Sequence, residues 1–318
     1  MITTLTLNPS LDRTLDIDRL DRGEVLRVAS PSVEVGGKGI NVARALHQAG
    51  VPAVAVFPAG GPDGSQVERG LAEIGVDHRV VTITGSTRTN ITIVESDGTV
   101  TKLNEPGPSL SADDIAELEK AALSASSPGG WLVLSGSLPP RCPPDVYARF
   151  ATAARALEAR VAVDTSGPPL TEAVGKGPDL IKPNLEEFQE LVARPTRTVR
   201  EALEACRWLQ EAGVGTVLLS MGDRGALLVG ADSVLYGFAA VSDVRNTVGA
   251  GDALLAGFLA AEDPPEERLR RALAWSAAAV RSSTTAMAPL TDEDLSCVRI
   301  VPDVDPDTTL RDLRSARS

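Results

Sequence analysis

Short apolar runs that alternate with longer Ala/Leu/Glu-rich stretches constrain this chain more than any other feature. Strands read at Ile2–Leu7, Ala53–Phe57, Trp131–Ser135, Val161–Asp164, Leu180–Lys182 and Thr216–Ser220. Between them, helical patterns run over Asn41–Gln48, Ser65–Ile74, Ser111–Ser124, Pro144–Ala159 and Val199–Ala212, with Gly50, Gly75 and Gly213 placed to end helices. Strands without a polar face, each followed by a helix, imply an α/β fold: a mainly parallel central sheet with helices on both faces. With 318 residues and 43% apolar side chains, residues 1–318 can form one large domain of this kind.

Two segments break the alternation. Leu11–Val35 mixes charged and apolar residues with no helical stripe. Arg88–Leu103 reads as a hairpin around a type I′ turn at Asp97-Gly98, with Ile91, Ile93, Val100 and Leu103 giving it an apolar face. Together, about 11–35 and 88–104, they read as a small β-sheet lid on the body. Late helices are expected over Asp252–Ala261 and Glu266–Ser282, and the tail after Val301 reads as acidic and loosely ordered.

Lys and Arg total 31 against 43 Asp and Glu, a net charge of −12, and no basic run occurs. Nucleic acid is therefore not an expected partner. The same charge repels phosphorylated metabolites at long range, so a site for one must gather cations locally. Cys142, Cys206 and Cys297 are far apart and form no CxxC, which argues against zinc and against a disulfide framework. Met1–Leu5 lacks a charged leader and no apolar run approaches ~20 residues, so a soluble cytoplasmic protein with no membrane partner is expected. Histidine chemistry is limited to His47 and His78, both read as structural. Ser137 in Ser135-Gly136-Ser137-Leu138-Pro139 lacks the second glycine of a nucleophile elbow, which argues against a serine hydrolase.

Asn246-Thr247-Val248-Gly249-Ala250-Gly251-Asp252 precedes the apolar run Ala253–Phe258. Its glycines allow a tight turn whose N–H groups converge on an anion at a helix start, with Asp252 on the first turn. A hydroxyl held there can lose its proton to Asp252 while the amides stabilise a phosphoryl group. The helix dipole should favour the ionised carboxylate, leaving Asp252 a weak base. An ordinary glycine turn with an Asp N-cap would look the same.

Gly36-Gly37-Lys38-Gly39-Ile40-Asn41 follows the strand-like Val33-Glu34-Val35 and opens a helix, so the main chain can approach a ligand while Lys38 supplies charge and Asn41 hydrogen bonds. The dinucleotide fingerprint fails at Val42, and no GxxxxGK[ST] exists. Arg88 and Lys102 fall on the two hairpin arms. They either surround a dianionic phosphate with Lys38 or serve as solvated edge charges. Lys182-Pro183-Asn184-Leu185-Glu186-Glu187 follows a strand; Asn184 and Glu187 have capping-box spacing, and the same spacing would let them hold Mg²⁺ through waters. Ser220-Met221-Gly222-Asp223-Arg224-Gly225 is a further strand-to-loop turn that would suit nucleotide phosphates.

In this order, the motifs resemble the phosphofructokinase B group of ribokinase-like carbohydrate kinases. The resemblance runs from Thr4–Asp12 to about Phe258 and includes Gly36–Arg44, Asn104–Pro108, Leu134–Pro140, Asp164–Gly167, Lys182–Glu187 and Thr247–Asp252. It implies a ribokinase-like fold with Asp252 as catalytic base and Gly249, Ala250 and Gly251 as the anion hole for the γ-phosphoryl group. Asp12, Gly37, Asn41 and Asn90 would contact the sugar. Lys38, Arg88 and Lys102 would clamp the substrate's own phosphate, with Ser137 nearby. Lys182, Asn184, Ser220, Gly222 and Gly225, with Gly249 and Gly251, would bind ATP, and Asn184 and Glu187 would position Mg²⁺. The resemblance also implies a homodimer through the lid, with Arg27 reaching a neighbouring subunit's site.

Within the group, Lys38 is similar to members acting on fructose 1-phosphate or tagatose 6-phosphate, where those acting on fructose 6-phosphate usually carry glycine. Asn104–Pro108 and the opening Leu7–Leu15 lean toward fructose 1-phosphate. Arg141, Met221 and Ala288-Pro289 depart from the usual pattern. The expected reaction is transfer from ATP to the 6-hydroxyl of D-fructose 1-phosphate, giving fructose 1,6-bisphosphate and ADP. The rivals are the same chemistry on tagatose 6-phosphate or fructose 6-phosphate, and a sugar-phosphate-binding regulator without turnover.

Overall fold

A computed structural model of the chain describes residues 1–313. It opens with β1 (Ile2–Thr6), β2 (Ser10–Ile17), β3 (Ser30–Gly36), α1 (Lys38–Gln48), β4 (Ala53–Ala59), α2 (Gly61–Glu73) and β5 (His78–Thr82). A hairpin of β6 (Arg88–Glu95) and β7 (Val100–Asn104) precedes α3 (Ala112–Ala125), β8 (Trp131–Ser135), α4 (Val146–Ala156) and β9 (Arg160–Asp164). There follow α5 (Pro168–Val174), β10 (Leu180–Ile181), α6 (Leu185–Leu191), α7 (Val199–Glu211), β11 (Thr216–Ser220), β12 (Ala226–Val229) and β13 (Val234–Ala239). The last elements are α8 (Ala250–Leu259), α9 (Pro265–Arg281), α10 (Asp292–Ser296) and β14 (Val298–Val301).

The body is a ten-stranded sheet in the order β14-β13-β12-β11-β10-β9-β8-β1-β4-β5, parallel from β5 to β11. Successive strand residues feed opposite layers. Leu132, Leu134, Val161 and Val163 pack with α3–α7, whereas Trp131, Val133 and Ala162 pack with α1, α8 and α9. Every residue of α8 from Asp252 to Leu259 is buried. A helix apolar on all sides is stable only in the interior.

A second sheet, ordered β3-β2-β6-β7, stands apart; β2 and β6 run parallel and the outer pairs antiparallel. Leu11 and Val35 dock it onto Ile40, Phe57, Val67 and Leu71. These strands coincide, to within a residue at Ser10, Gly36 and Asn104, with the two segments that broke the helical alternation.

The structure corrects several details of the sequence reading. The hairpin turn is not type I′, which needs positive φ at two successive residues. Only Gly98 has it, at 86°, and Gly98 N donates to Glu95 O at 2.9 Å, a type I turn closed by a glycine bulge. Val100 pairs with Val94 and Leu103 with Ile91, so Val100 lies on the face opposite Ile91, Ile93 and Leu103. The sheet also gains an antiparallel edge, β12 to β14, beyond the parallel alternation. The stretch after Val301 is docked, not loose. Leu310 and Leu313 are buried, and Leu310 N donates to Arg197 O at 2.7 Å. Residues 314–318 of that tail lie outside the described residues. Among the described residues, no helix is long and apolar enough to cross a membrane.

Candidate active site

Parallel strands end together. Register aligns Thr6 with Ser135 and Ser135 with Asp164, and a bridge joins Asn184 to Ser220. The carboxyl edge of the sheet thus delivers Asp164, Lys182, Asn184 and Ser220 to one rim, where α/β sheets bind ligands. Above this rim α8 begins. Gly249 caps it in the left-handed region, φ 82°, and a Cβ there would lie 2.8 Å from Thr285 O, so only glycine fits. The first-turn amides of α8 have no partners within the helix; Ala250 N reaches Thr247 O only at 3.5 Å, and a helix start of this kind favours an anion.

The small sheet supplies the opposite wall. Asp12 accepts from Ser10 Oγ at 2.7 Å and from Asn90 Nδ2 at 2.9 Å. Gly36 lies across from Ser10, and a Cβ there would collide with the Asp12 carboxylate. Asn90 Oδ1 and Arg88 Nε are buried without partners, while Arg88 Nη1 donates to Glu105 O at 3.0 Å.

Between the walls lies a cleft of about 590 Å³. Ser10, Asp12, Arg88 and Asn90 line one end, and Gly37, Lys38, Asn41, Lys182, Asn184, Glu187 and Gly249–Asp252 the middle. The far end carries Ser220, Gly222 and Gly225 and an apolar compartment of Ala239, Val241, Val244, Leu273, Ala277 and Val280. The sequence reading missed that compartment, because Ala239, Leu273, Ala277 and Val280 look like ordinary core positions of a strand and a helix, and Val241 and Val244 lie in a loop.

Two residues expected at the site are not on this wall. Lys102 pairs with Thr92, two ladder pairs beyond the Asn90–Asn104 pair that borders the cleft, and is exposed on edge strand β7. Ser137 is exposed, its hydroxyl 3.4 Å from Asn8 Nδ2. The expected three-cation cluster therefore does not form. Lys38 is on the wall, but its Nζ turns to Asp164 Oδ1 at 2.9 Å and to Glu187 Oε1 at 3.6 Å.

Asp164, to which the sequence reading gave no role, is fully buried between Lys38 and Lys182, whose Nζ is 3.1 Å from Oδ2. Burial opposes its ionisation, yet Lys182 and Lys38 together hold the carboxyl below the ordinary range. Burial would likewise lower the Lys38 pKa, but Asp164 and Glu187 hold it above its ordinary value.

Asp252 is 7% exposed, and its Oδ2 accepts from Asn41 Nδ2 at 2.8 Å. Burial pushes its pKa up to about 6, reinforced by repulsion from Asp164 and opposed by Lys38, the Asn41 hydrogen bond and Lys182. This overturns the weak-base expectation: desolvation outweighs the helix dipole, worth only about 1 kcal/mol in the first turn.

Asn184 and Glu187 form a complete capping box. Asn184 N donates to Glu187 Oε2 at 2.8 Å and Glu187 N donates to Asn184 Oδ1 at 2.9 Å. That leaves Glu187 Oε1 outside the box and toward Lys38. Among the described residues, no group of three or more His, Cys, Asp or Glu side chains could cage a metal. A single carboxylate oxygen outside the box, 3.6 Å from Lys38 Nζ, fits Mg²⁺ held largely by waters and phosphates.

The fold and this cleft define an α/β phosphoryl-transfer enzyme of the sugar-kinase type. The chain belongs to the pfkB family of carbohydrate kinases, whose model matches residues 5–292, and is a phosphotransferase. It is 36% identical over 261 residues to a 1-phosphofructokinase of Rhodobacter capsulatus, covering 81% of this chain and 82% of that one. It is 37% identical over 262 residues to the ATP-dependent 6-phosphofructokinase isozyme 2 of Mycobacterium tuberculosis, covering 80% and 76%. The crystal structure of Escherichia coli phosphofructokinase-2 with substrates and products superposes with a TM-score of 0.87 at 32% identity, covering 93% and 97%.

Proposed function

We propose that the cleft transfers the γ-phosphoryl group of ATP to the 6-hydroxyl of D-fructose 1-phosphate, giving fructose 1,6-bisphosphate and ADP. One observation carries the reading. The buried Asp252 carboxylate lies beside the first-turn amides of α8, in a cleft whose ends differ in chemistry. One end is polar and carries Arg88; the other is apolar and lies past the strand ends. Similarity to 1-phosphofructokinases from several bacteria supports fructose 1-phosphate as acceptor.

In this reading Asp12 and Asn90 bind sugar hydroxyls, Asn90 through its unpartnered Oδ1, with Gly37 and Asn41 completing that subsite. Arg88 fixes the sugar's phosphate, and Lys102 and Ser137 have no direct part. The adenine ring occupies the apolar compartment. Phosphates run past Ser220, Gly222, Gly225, Asn184 and Lys182 toward the Gly249–Gly251 amides, with Lys38 on the donor side.

Asp252 takes the proton of the 6-hydroxyl as the new O–P bond forms and the bond to ADP breaks. A carboxylate with a pKa of about 6 is ionised at neutral pH yet more basic than an ordinary one. Orientation and neutralisation of the migrating group supply most of the acceleration. Glu187, with Asn184 holding it, would position Mg²⁺ through water, the ion supplying further charge neutralisation.

A homodimer through the small sheet would cover the row that holds Val33 and Leu103, 43% and 54% exposed. Three unpaired cysteines and use of ATP suit the cytoplasm. The test is ADP release across a panel of fructose 1-phosphate, fructose 6-phosphate, tagatose 6-phosphate and fructose. We expect kcat/KM for fructose 1-phosphate to lead by about tenfold or more. A lead for fructose 6-phosphate would reassign the acceptor in line with the isozyme-2 relative. Thermal stabilisation by sugar phosphate without any ADP release would identify a binding regulator instead.

A further inference from the structure

Thr285 sits where three parts of the site meet. Its main-chain N–H donates to Glu34 Oε2 at 2.9 Å, and its hydroxyl accepts from Arg44 Nη1 at 3.1 Å. Its carbonyl faces Gly249, at a spacing that leaves no room for a Cβ. Glu34 lies on β3 directly across the ladder from Asp12. Arg44 is one turn beyond Asn41 on α1 and also donates to Val35 O at 3.0 Å, which ties α1 to the same strand.

The stretch from Ser282 to Leu290 has neither helix nor strand. Its bonds near Thr285 are local, from Thr284 N to Ser282 Oγ and from Ala286 N to Thr284 Oγ1. Glu34 and Arg44 are thus the side chains that hydrogen-bond Thr285 itself, while buried Met287 and the bond from Ala288 N to Ala278 O at 3.3 Å anchor the stretch further on. They are strong anchors: a carboxylate on an amide and a guanidinium on a hydroxyl are both charge-assisted. Arg44 is itself half-buried, with the acidic groups Glu34 and Asp12 of the small sheet nearby.

We propose that Glu34 and Arg44 are positioning residues that hold Thr285 against Gly249, so that the seating of the small sheet on the sugar sets the aim of the phosphoryl-binding amides. Neither side chain needs to touch a reacting atom. A displacement of about 1 Å in such amides is enough to lower turnover strongly. The same contacts make sugar and nucleotide binding interdependent, because each site biases one shared element.

This inference rests on assigning Gly249–Gly251 to the phosphoryl group, and its test separates the two. We would compare Glu34→Ala, Glu34→Gln and Thr285→Val for kcat, both KM values, and the affinity for the β,γ-methylene analogue of ATP with and without fructose 1-phosphate. Glu34→Ala is expected to lose about tenfold in kcat with KM for either substrate within about threefold, and the factor by which sugar phosphate changes analogue affinity should fall toward one. Glu34→Gln should retain most of both, since its amide oxygen still accepts the Thr285 N–H. Thr285→Val, which removes only the acceptor of Arg44, should shift kcat in the same direction, and it decides the matter if Glu34→Ala does not fold. Unchanged kcat and coupling in Glu34→Ala and Thr285→Val, or equal damage in Glu34→Gln and Glu34→Ala, would overturn the proposal. Asp252→Asn run in parallel isolates the cause: normal turnover there defeats the phosphoryl-site assignment and the inference with it. An inactive Asp252→Asn beside an unimpaired Glu34→Ala defeats the inference alone.

Discussion

Replacing Asp252 with Asn should abolish turnover and stabilise the unliganded protein. The side chain is almost fully buried, and its carboxyl pKa rises from the ordinary 3.8 to about 6 on folding. At about 1.4 kcal/mol per unit, keeping it ionised costs the folded state on the order of 3 kcal/mol at neutral pH. Because the folded pKa is raised, stability from this group is full below about pH 4 and is lost as pH rises through about 6. Asparagine removes that cost, and its amide oxygen can still accept from Asn41 Nδ2. With about 2.1 cal/mol/K of unfolding entropy per residue, the gain corresponds to roughly 4 °C in Tm at pH 8. Calorimetry of both proteins from pH 4 to pH 8 measures it, alongside a turnover assay in which the variant should lose ~10³-fold or more. A variant no more stable than the parent at pH 8, or one whose advantage grows toward acid, would refute the electrostatic reasoning. Near-normal turnover would remove Asp252 as the base.

The acid limb of kcat/KM should report the same group, falling tenfold per unit below about pH 6; a profile flat down to pH 5 would contradict it. Arg88→Ala should raise KM for fructose 1-phosphate about tenfold or more, from the lost charge-assisted contact, whereas Lys102→Ala should leave it within about twofold. Equal effects of the two substitutions would show that the sugar's phosphate lies further out along the hairpin. Lys182→Met should destabilise by about 3–5 kcal/mol, since it leaves the buried Asp164 with Lys38 alone. Denaturant titration checks this, and a loss under about 1 kcal/mol would mean that Asp164 is rehydrated in the variant.

The parts of the site legible in the sequence are those where the backbone demands a residue type. Gly249 must accept a left-handed φ against Thr285, Gly36 must clear Asp12, and Asn184 and Glu187 must cap α6. Strand–helix alternation likewise gave the central sheet, with Trp131–Ser135 and Thr216–Ser220 read to the residue. What was not legible depends on distant partners. Lys38 and Arg88 look equivalent as cations, but only the neighbouring Asp164 decides that Lys38 turns to the strand ends. Lys102 fails by two ladder pairs, a register that only the pairing of β6 with β7 sets. The ionisation of Asp252 could not be read from its place on a helix, because burial outweighs the dipole there. Strands β13 and β14 are short, separated by three helices and completed only on pairing. Two of the three contacts of Thr285 use an N–H and a carbonyl that every non-proline residue owns, and its hydroxyl finds Arg44 only in the fold, so composition carries no trace of them.

The small sheet is woven from two stretches separated by α1, β4, α2 and β5, and its inner seam is the parallel pairing of β2 with β6. No single contiguous insertion could transplant it into a sibling protein, nor could one loop swap retune what it grips. Diversification toward a new acceptor must then proceed through scattered single replacements, or through matched changes in both stretches at once. The chemistry beneath, anchored in an interior helix, can stay constant throughout.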